Sequence, residues 1–290
     1  MPDQHTAHRS RRDMCPGVLR PWPAADGALV RLRLVGGRIP GASLTALVQV
    51  ARTYGDGQVH LTGRANLQLR GLPCGTDGLA REVVDAIEAT GLLPSRSHEL
   101  VRNVMVSPMT GLAGGRADLR PVAERLDIEL CADADMAALP GRFLFVLDDG
   151  RGDLAGRSTD LGLMALDEST GQLRIGSGRW GATVKLAEAA SAMTGLAGDF
   201  LRLRGTGPTA PWHVDELLDP LVAPQARDPR SRVSSAALPY GDLGAGHHHE
   251  VPDGRLSSVL AARLVELSGC GDLVVTPWHG VLVPTSEVAR

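Results

Sequence analysis

The sequence predicts a mixed α+β protein in which two ferredoxin-like half-domains, related by a pseudo-twofold axis, flank an inserted α+β unit. Three observations predict it. A chain of 290 residues is at the upper edge of what one hydrophobic core serves. Hydrophobic periodicity near the N-terminus switches between strand and helix periods in the order β-α-β-β-α. The C-terminal end repeats that grammar.

Taken in order, residues 1–14 read as a mobile polar tail, and CPGVLRPWP at 15–23, with its three prolines, is extended or turning. ALVRLRLV at 28–35 alternates apolar residues with arginine, the period of a half-buried strand. After the turn GGRIPG, Ser43 or Thr45 caps a helix whose apolar positions Leu44, Leu47, Val48 and Val50 run to about Tyr54. Residues 58–72 alternate through Val59, Leu61, Leu67 and Leu69, giving two strands with a bend at Gly63. Leu79, Val83 and Ile87 then recur at helical spacing over 76–90, and Gly91 ends that helix.

The first half-domain is therefore placed at 15–95 and a second α+β unit at 96–206, with strand-like LVRNVMV, GRFLFVLDD, LGLMAL and QLRIGS and an Ala-rich helix over 183–194. A Pro-rich linker with a short helix at 214–218 occupies 207–235, and the second half-domain occupies 236–290. Residues 254–284 align with 37–73: Gly57 meets Gly271, Val59 meets Leu273, Thr62 meets Thr276, Arg64 meets Trp278 and Leu67 meets Val281. Internal duplication is the reading of that register.

Composition excludes several classes. A hydrophobic fraction of 43% with 22% charged residues is ordinary globular usage, so wholesale disorder is out. No apolar run reaches the length of a membrane span, and the arginines at the N-terminus have no apolar stretch behind them, so a cytoplasmic location is expected. A net charge of −3 and 3% aromatics argue against nucleic acid. Cys15, Cys74, Cys131 and Cys270 lie far apart, with no metal-ligand spacing, and are expected as small buried or half-exposed thiols. HHHE at 247–250 is expected to be a solvated loop insertion, from which two histidines could bind zinc or nickel weakly. His60 and His279, beside the repeated threonines, are expected as core or hydrogen-bonded residues.

Three arginines stand in apolar surroundings: Arg64 in HLTGRANLQLRG, Arg102 in LVRNVMVSP and Arg142 in LPGRFLFVLDDG. A desolvated guanidinium needs an anion, either an internal carboxylate such as Asp148 or Glu99 or one shared polyanionic ligand.

In order, TGRANLQLRG, VRNVMVSP and LPGRF resemble the motifs of the nitrite and sulfite reductase superfamily, whose ferredoxin-like half-domains flank sirohaem-binding domains. CPGVLRP, DGALVRLR, LPYGDL and TPWHG look most like the precorrin-3B synthases, so that the resemblance covers roughly 15–284 and the inserted unit is sirohaem-domain-like. The resemblance implies that Arg64 and Arg102 face the tetrapyrrole and its anionic substrate, that Arg142 is the first basic residue of the following motif, and that Asn66 and Gln68 assist while Asn103 braces a turn. Guanidinium forks suit a macrocycle carrying many carboxylates.

The sequence departs from the family's pattern at Leu144, which replaces a second basic residue, at His279, which replaces an arginine, and at Ser107, where reductases carry cysteine. The family's 4Fe-4S ligands are expected beyond the second half-domain, and no matching cysteines occur in the sequence. The expected function is that of an oxidoreductase-family protein of cobalamin biosynthesis which binds sirohaem or a precorrin and depends on a second chain carrying the cluster. The alternatives are a non-catalytic tetrapyrrole-binding module and an inactive remnant.

Overall fold

The computed structural model describes residues 13–285, so nearly all of the expected polar tail lies outside the described residues. In chain order the first part runs β1 (Trp22–Ala24), β2 (Gly27–Leu32), β3 (Arg38–Pro40), α1 (Gly41–Tyr54), β4 (Val59–Leu61), β5 (Leu67–Leu72), the small hairpin β6 (Cys74–Gly75) and β7 (Gly78–Leu79), and α2 (Arg81–Glu88). The middle comprises β8 (Val104–Val106), α3 (Arg120–Ala132), β9 (Phe145–Asp148), β10 (Leu161–Ala165), β11 (Thr170–Ile175), β12 (Arg179–Lys185) and α4 (Leu186–Arg204). The last part is β13 (Gly241–Asp242), β14 (Gly246–Glu250), β15 (Arg255–Leu256), α5 (Ser258–Leu267), β16 (Asp272–Thr276) and β17 (Gly280–Pro284).

The expected duplication is visible in sheet order. One sheet reads β1-β2-β5-β4-β15 and its counterpart β13-β14-β17-β16-β3. The strand preceding each helix has changed places: β3 pairs with β16 (Leu273 opposite Ile39), and β15 pairs with β4 (Leu256 opposite Val59). Each half thus completes the other's sheet. Left-handed backbone recurs at matched positions, Gly37 (φ 73°) with Gly254 (φ 67°) and Ala65 (φ 57°) with His279 (φ 58°). One apolar core serves both halves, with Leu44 and Leu47 of α1 and Leu264 of α5 in the same cluster. Burying each of these leucines contributes about 1.5–3 kcal/mol.

The middle unit is a sheet of order β12-β11-β10-β9-β8, parallel through β8, β9 and β10 and antiparallel beyond. Val104, Val106, Phe145 and Leu147 point to α3 and α4, whose Leu126, Met193 and Phe200 cover that face. The intervening residues Met105 and Val146 point the other way and pack with Leu144, Leu154 and Trp278. The Pro-rich stretch lies along this unit: Gln172 Nε2 donates to Ala226 O (2.8 Å) and the N–H of Gln225 to Trp180 O (2.8 Å).

Several expectations need correction. α1 begins at Gly41 behind Pro40, so neither Ser43 nor Thr45 caps it, and Thr45 Oγ1 instead donates to Gly41 O (3.0 Å). The second helix is shorter than expected because 74–79 folds into the β6–β7 hairpin. The Ala-rich helix extends to Arg204, and α3 and β12 were not anticipated. HHHE is a strand rather than a loop. Alternation puts His247 and His249 together on one face, ring centroids 4.4 Å apart, and buries His248, which bonds Pro239 O and Thr276 Oγ1 at 2.9 Å each. Cys74 and Cys270 are exposed, while Cys15 and Cys131 are half-buried.

Candidate functional site

An open cavity of about 450 Å³ lies over the face of the central sheet that α3 and α4 leave free. Its floor is apolar, from Met105 and Leu144, and four guanidinium groups, from Arg31, Arg64, Arg142 and Arg157, line its walls. The strand period places Arg31, because Val30 and Leu32 enter the core while Arg31 lies directly opposite Gln68 on β5. Gln68 Oε1 accepts from both Nε (3.2 Å) and Nη2 (2.7 Å) of Arg31, so this glutamine aims the fork.

Arg64 stands on the turn between β4 and β5. Thr62 Oγ1 accepts from the N–H groups of Arg64 (3.3 Å) and Asn66 (3.1 Å), and Ala65 takes the left-handed conformation that closes the turn. Arg64 Nη1 donates to Arg142 O at 2.9 Å, which ties the first half-domain to the segment preceding β9. Arg157 donates to Gly63 O (3.4 Å) and Pro277 O (3.2 Å), the corresponding carbonyls of the two duplicated turns, with its guanidinium 5.8 Å from the Trp278 ring centre. It therefore sits between the halves.

Among the described residues none of these four arginines is ion-paired to a carboxylate. Burial pushes the guanidinium pKa values of Arg31, Arg64 and Arg157 down from their ordinary value, and neighbouring arginines add to this at Arg31 and Arg64. Other arginines of the molecule are paired with carboxylates, as in Arg151 with Asp149 (2.7 Å) and Arg120 with Asp118 (2.7 Å). The cavity is thus a place where four guanidinium groups gather with no carboxylate in direct ion pairing among the described residues.

One carboxyl does border it. Asp160 is buried and accepts from the N–H groups of Leu144 (2.9 Å) and Val214 (3.1 Å). Burial raises its pKa to about 6 against the opposing pull of His213, whose Nε2 is 3.7 Å away. His213 Nδ1 accepts from the Asp215 N–H (3.1 Å), so the ring proton is on Nε2, facing Asp160. The raised Asp160 carboxyl can hold a proton at the cavity wall.

Of the residues picked from sequence, the structure brings Arg64 and Arg142 together and separates Arg102. The Arg102 fork is closed on Asp127 of α3, at 2.6 and 2.7 Å, away from the cavity. Asn66 and Asn103 are buried bracing residues: Asn66 Oδ1 accepts from the Leu34 N–H (2.9 Å), and Asn103 Oδ1 accepts from Arg33 Nε (3.1 Å) and Asn66 Nδ2 (3.3 Å). Gln68 acts through Arg31. Ser107 donates to Asp153 Oδ1 (2.7 Å), and His60 is paired with Asp56 (2.7 Å). Arg31 and Arg157 were missed. The alternation of ALVRLRLV held the signal for Arg31, but Arg157 lies in a loop with no periodic pattern.

Among the described residues no three His, Cys, Asp or Glu side chains gather as a metal site. Cys15 feels the charge of Arg33 and Arg31, yet burial, aided by Asp13, pushes its thiol pKa up, so no thiolate is presented here. No helix is long and apolar enough to cross a membrane among the described residues.

The sequence profile of the nitrite/sulfite reductase ferredoxin-like half domain matches residues 23–75. The chain is 31% identical over 174 residues to a precorrin-3B synthase of Sinorhizobium, covering 58% of this chain and 36% of that protein. It is 32% identical over 130 residues to the ferredoxin–nitrite reductase of Synechococcus elongatus, covering 42% and 25% respectively. It is 31% identical over 104 residues to the hemoprotein beta-component of the NADPH sulfite reductase of Acidithiobacillus ferrooxidans, covering 34% and 17%. The structure of the Mycobacterium tuberculosis NirA protein superposes with a TM-score of 0.68 at 16% identity, over 90% of this chain and 54% of that one, a likeness of fold. The chain spans little more than a third of the length of the synthase and less of the two reductases. With the half domain at 23–75 and the duplicated α+β architecture, this chain resembles the nitrite and sulfite reductase superfamily in both sequence and fold.

Proposed function

We propose that this chain binds a polycarboxylate tetrapyrrole, sirohaem or a precorrin, in the arginine-lined cavity, as the ligand-holding part of a precorrin-3B synthase-like oxidoreductase of cobalamin biosynthesis. The observation that carries this is the gathering of four guanidinium groups with no carboxylate partner among the described residues, above an apolar floor. The charged rim suits the carboxylate arms and the Met105–Leu144 floor suits the ring face. The match to a precorrin-3B synthase over more than half of this chain supports the choice of ligand class.

A tetrapyrrole bound here supplies the conjugated ring on which the oxidoreductase chemistry takes place. Arg31, Arg64, Arg142 and Arg157 would bind and orient its arms, and the Asp160 carboxyl would hold a proton at the wall. A 4Fe-4S cluster does not fit these residues, because the four cysteines are dispersed and none lines the cavity. We assign the ligands of any such centre to residues other than these, such as those of a cluster-bearing partner. Binding without catalysis is the second reading, favoured by that same missing ligand set.

The test is titration of the protein with uroporphyrin III, an octacarboxylate tetrapyrrole, followed by its Soret band. A saturable one-to-one shift is expected. Arg64→Ala combined with Arg157→Ala should weaken binding at least about 100-fold, since each lost charge-assisted hydrogen bond is worth about 1.5–3 kcal/mol. Unchanged affinity in the double variant would contradict the proposal. Conversion of precorrin-3A only when a cluster-bearing partner is added separates the enzymatic reading from the binding-only one.

A further inference from the structure

A second arginine cluster lies on the β11–β12 hairpin, which the tetrapyrrole reading does not use. Arg174 of β11 and Arg179 of β12 flank the hairpin tip, and Arg227 from the Pro-rich stretch lays its guanidinium 4.9 Å from the centre of the Trp180 ring. Together with Ser177 they line a cavity of about 190 Å³. Arg174 is only 7% exposed, and its Nη2 donates to Arg157 O at 3.0 Å. Its Nη1 is buried with no hydrogen-bond partner among the described residues, and so is Nη1 of Arg179.

The nearby carboxylates are committed elsewhere. Asp215 accepts from the Ser177 N–H (2.9 Å), which pins the hairpin tip. Asp148 influences the charge of Arg174 but spends its oxygens on the N–H groups of Gly150 (2.9 Å), Gly152 (2.9 Å) and Leu154 (3.0 Å). Two buried guanidinium nitrogens left without acceptors are costly, and an acceptor of matching charge removes that cost. The volume admits one small group and the donors are forked, which selects a planar or tetrahedral oxoanion.

We propose that this hairpin cavity is an anion site that takes one carboxylate or tetrahedral oxoanion between Arg174 and Arg179, with Arg227 at its mouth. The anion is either free in solution or a carboxylate arm of a macrocycle, because Arg174 reaches the backbone of Arg157, which lines the neighbouring cavity. The site stands without the tetrapyrrole proposal, since it is read from its own unpartnered donors.

The experiment follows thermal unfolding of the full chain against sulfate and against phosphate, with ionic strength held constant by sodium chloride. A saturable rise in Tm is expected, retained in Arg64→Ala and weakened roughly tenfold or more in apparent affinity by Arg179→Gln, the loss of one charged hydrogen bond. Arg227→Gln, at an exposed position, should weaken it as well and serves if Arg179→Gln does not fold. Repetition with saturating uroporphyrin III separates the sources: an additive shift assigns a free anion, and a lost sulfate response assigns a macrocycle arm. A response to sulfate and phosphate no greater than that to chloride, or an undiminished response in folded Arg179→Gln and Arg227→Gln, would overturn the proposal.

Discussion

Arg31 and Arg33 are two residues apart in sequence and do opposite work. Arg33, only 3% exposed, is consumed by four oxygens, those of Pro16, Glu99 and Gly141 backbone carbonyls and Asn103 Oδ1, and it stitches three segments together. Among the described residues Arg31 hydrogen-bonds only the Gln68 amide, which leaves Nη1 of its fork open to the proposed ligand. Arg102 belongs with Arg33: Arg102→Met leaves Asp127 without its partner and should cost about 3 kcal/mol in urea unfolding, while the folded fraction keeps its porphyrin affinity. A large affinity loss at full stability would place Arg102 in the site after all. Asp153 makes a pH prediction. Burial raises its carboxyl pKa to about 7 from an ordinary 3.8, and Oδ2 has no hydrogen-bond partner among the described residues. The folded state therefore binds more protons than the unfolded chain between about pH 4 and pH 7, and the stability linked to this group falls as pH rises through that window. Asp153→Asn should be more stable than the wild type at pH 8 and equal to it near pH 4 by denaturant titration. Equal stability at both pH values would show that the carboxyl titrates normally.

At the scale of elements, the exchange of β3 and β15 interlocks the halves, and two glycines test it. Both lie in left-handed backbone, but a Cβ at Gly37 would come 2.1 Å from Val275 O, whereas at Gly254 the nearest atom, Leu61 O, is 3.2 Å away. Gly254→Ala should cost about 1 kcal/mol from its backbone conformation, and Gly37→Ala at least about 2 kcal/mol more, because β16 must move. Equal melting temperatures would argue against the exchanged pairing. The elements legible in sequence are those with one buried face: Val30 with Leu32 and Leu67 with Leu69 announce β2 and β5 by their period. The exchange was not legible, since β15 has only two residues and β3 three, too few to show a period. HHHE misled because a polar triplet conceals alternation, and only the register with β17, His248 opposite Leu282, reveals that the middle histidine points inward. The Arg102 partner was hidden for a similar reason: Asp127 lies on α3, which the sequence reading did not find.

Across the whole molecule, duplication and insertion together make the cavity. The two equivalent turns, at Gly63–Arg64 and Pro277–Trp278, converge on Arg157 from opposite halves, and the central sheet supplies the floor. No single half-domain contains the site, which is why Arg64 and Arg142 could be picked individually from their motifs while the set of four required the fold. The gathered charge should also be visible in salt dependence, because attraction between arginines and a polyanion is screened as ionic strength rises. The most direct measurement is the affinity for uroporphyrin III as a function of sodium chloride in the wild type, Arg64→Ala, Arg157→Ala and Arg102→Met. The account predicts tight binding that weakens steeply with salt, a shallower slope in Arg64→Ala and in Arg157→Ala, and the wild-type slope in Arg102→Met. Salt-independent binding, or the same slope in all four proteins, would contradict it.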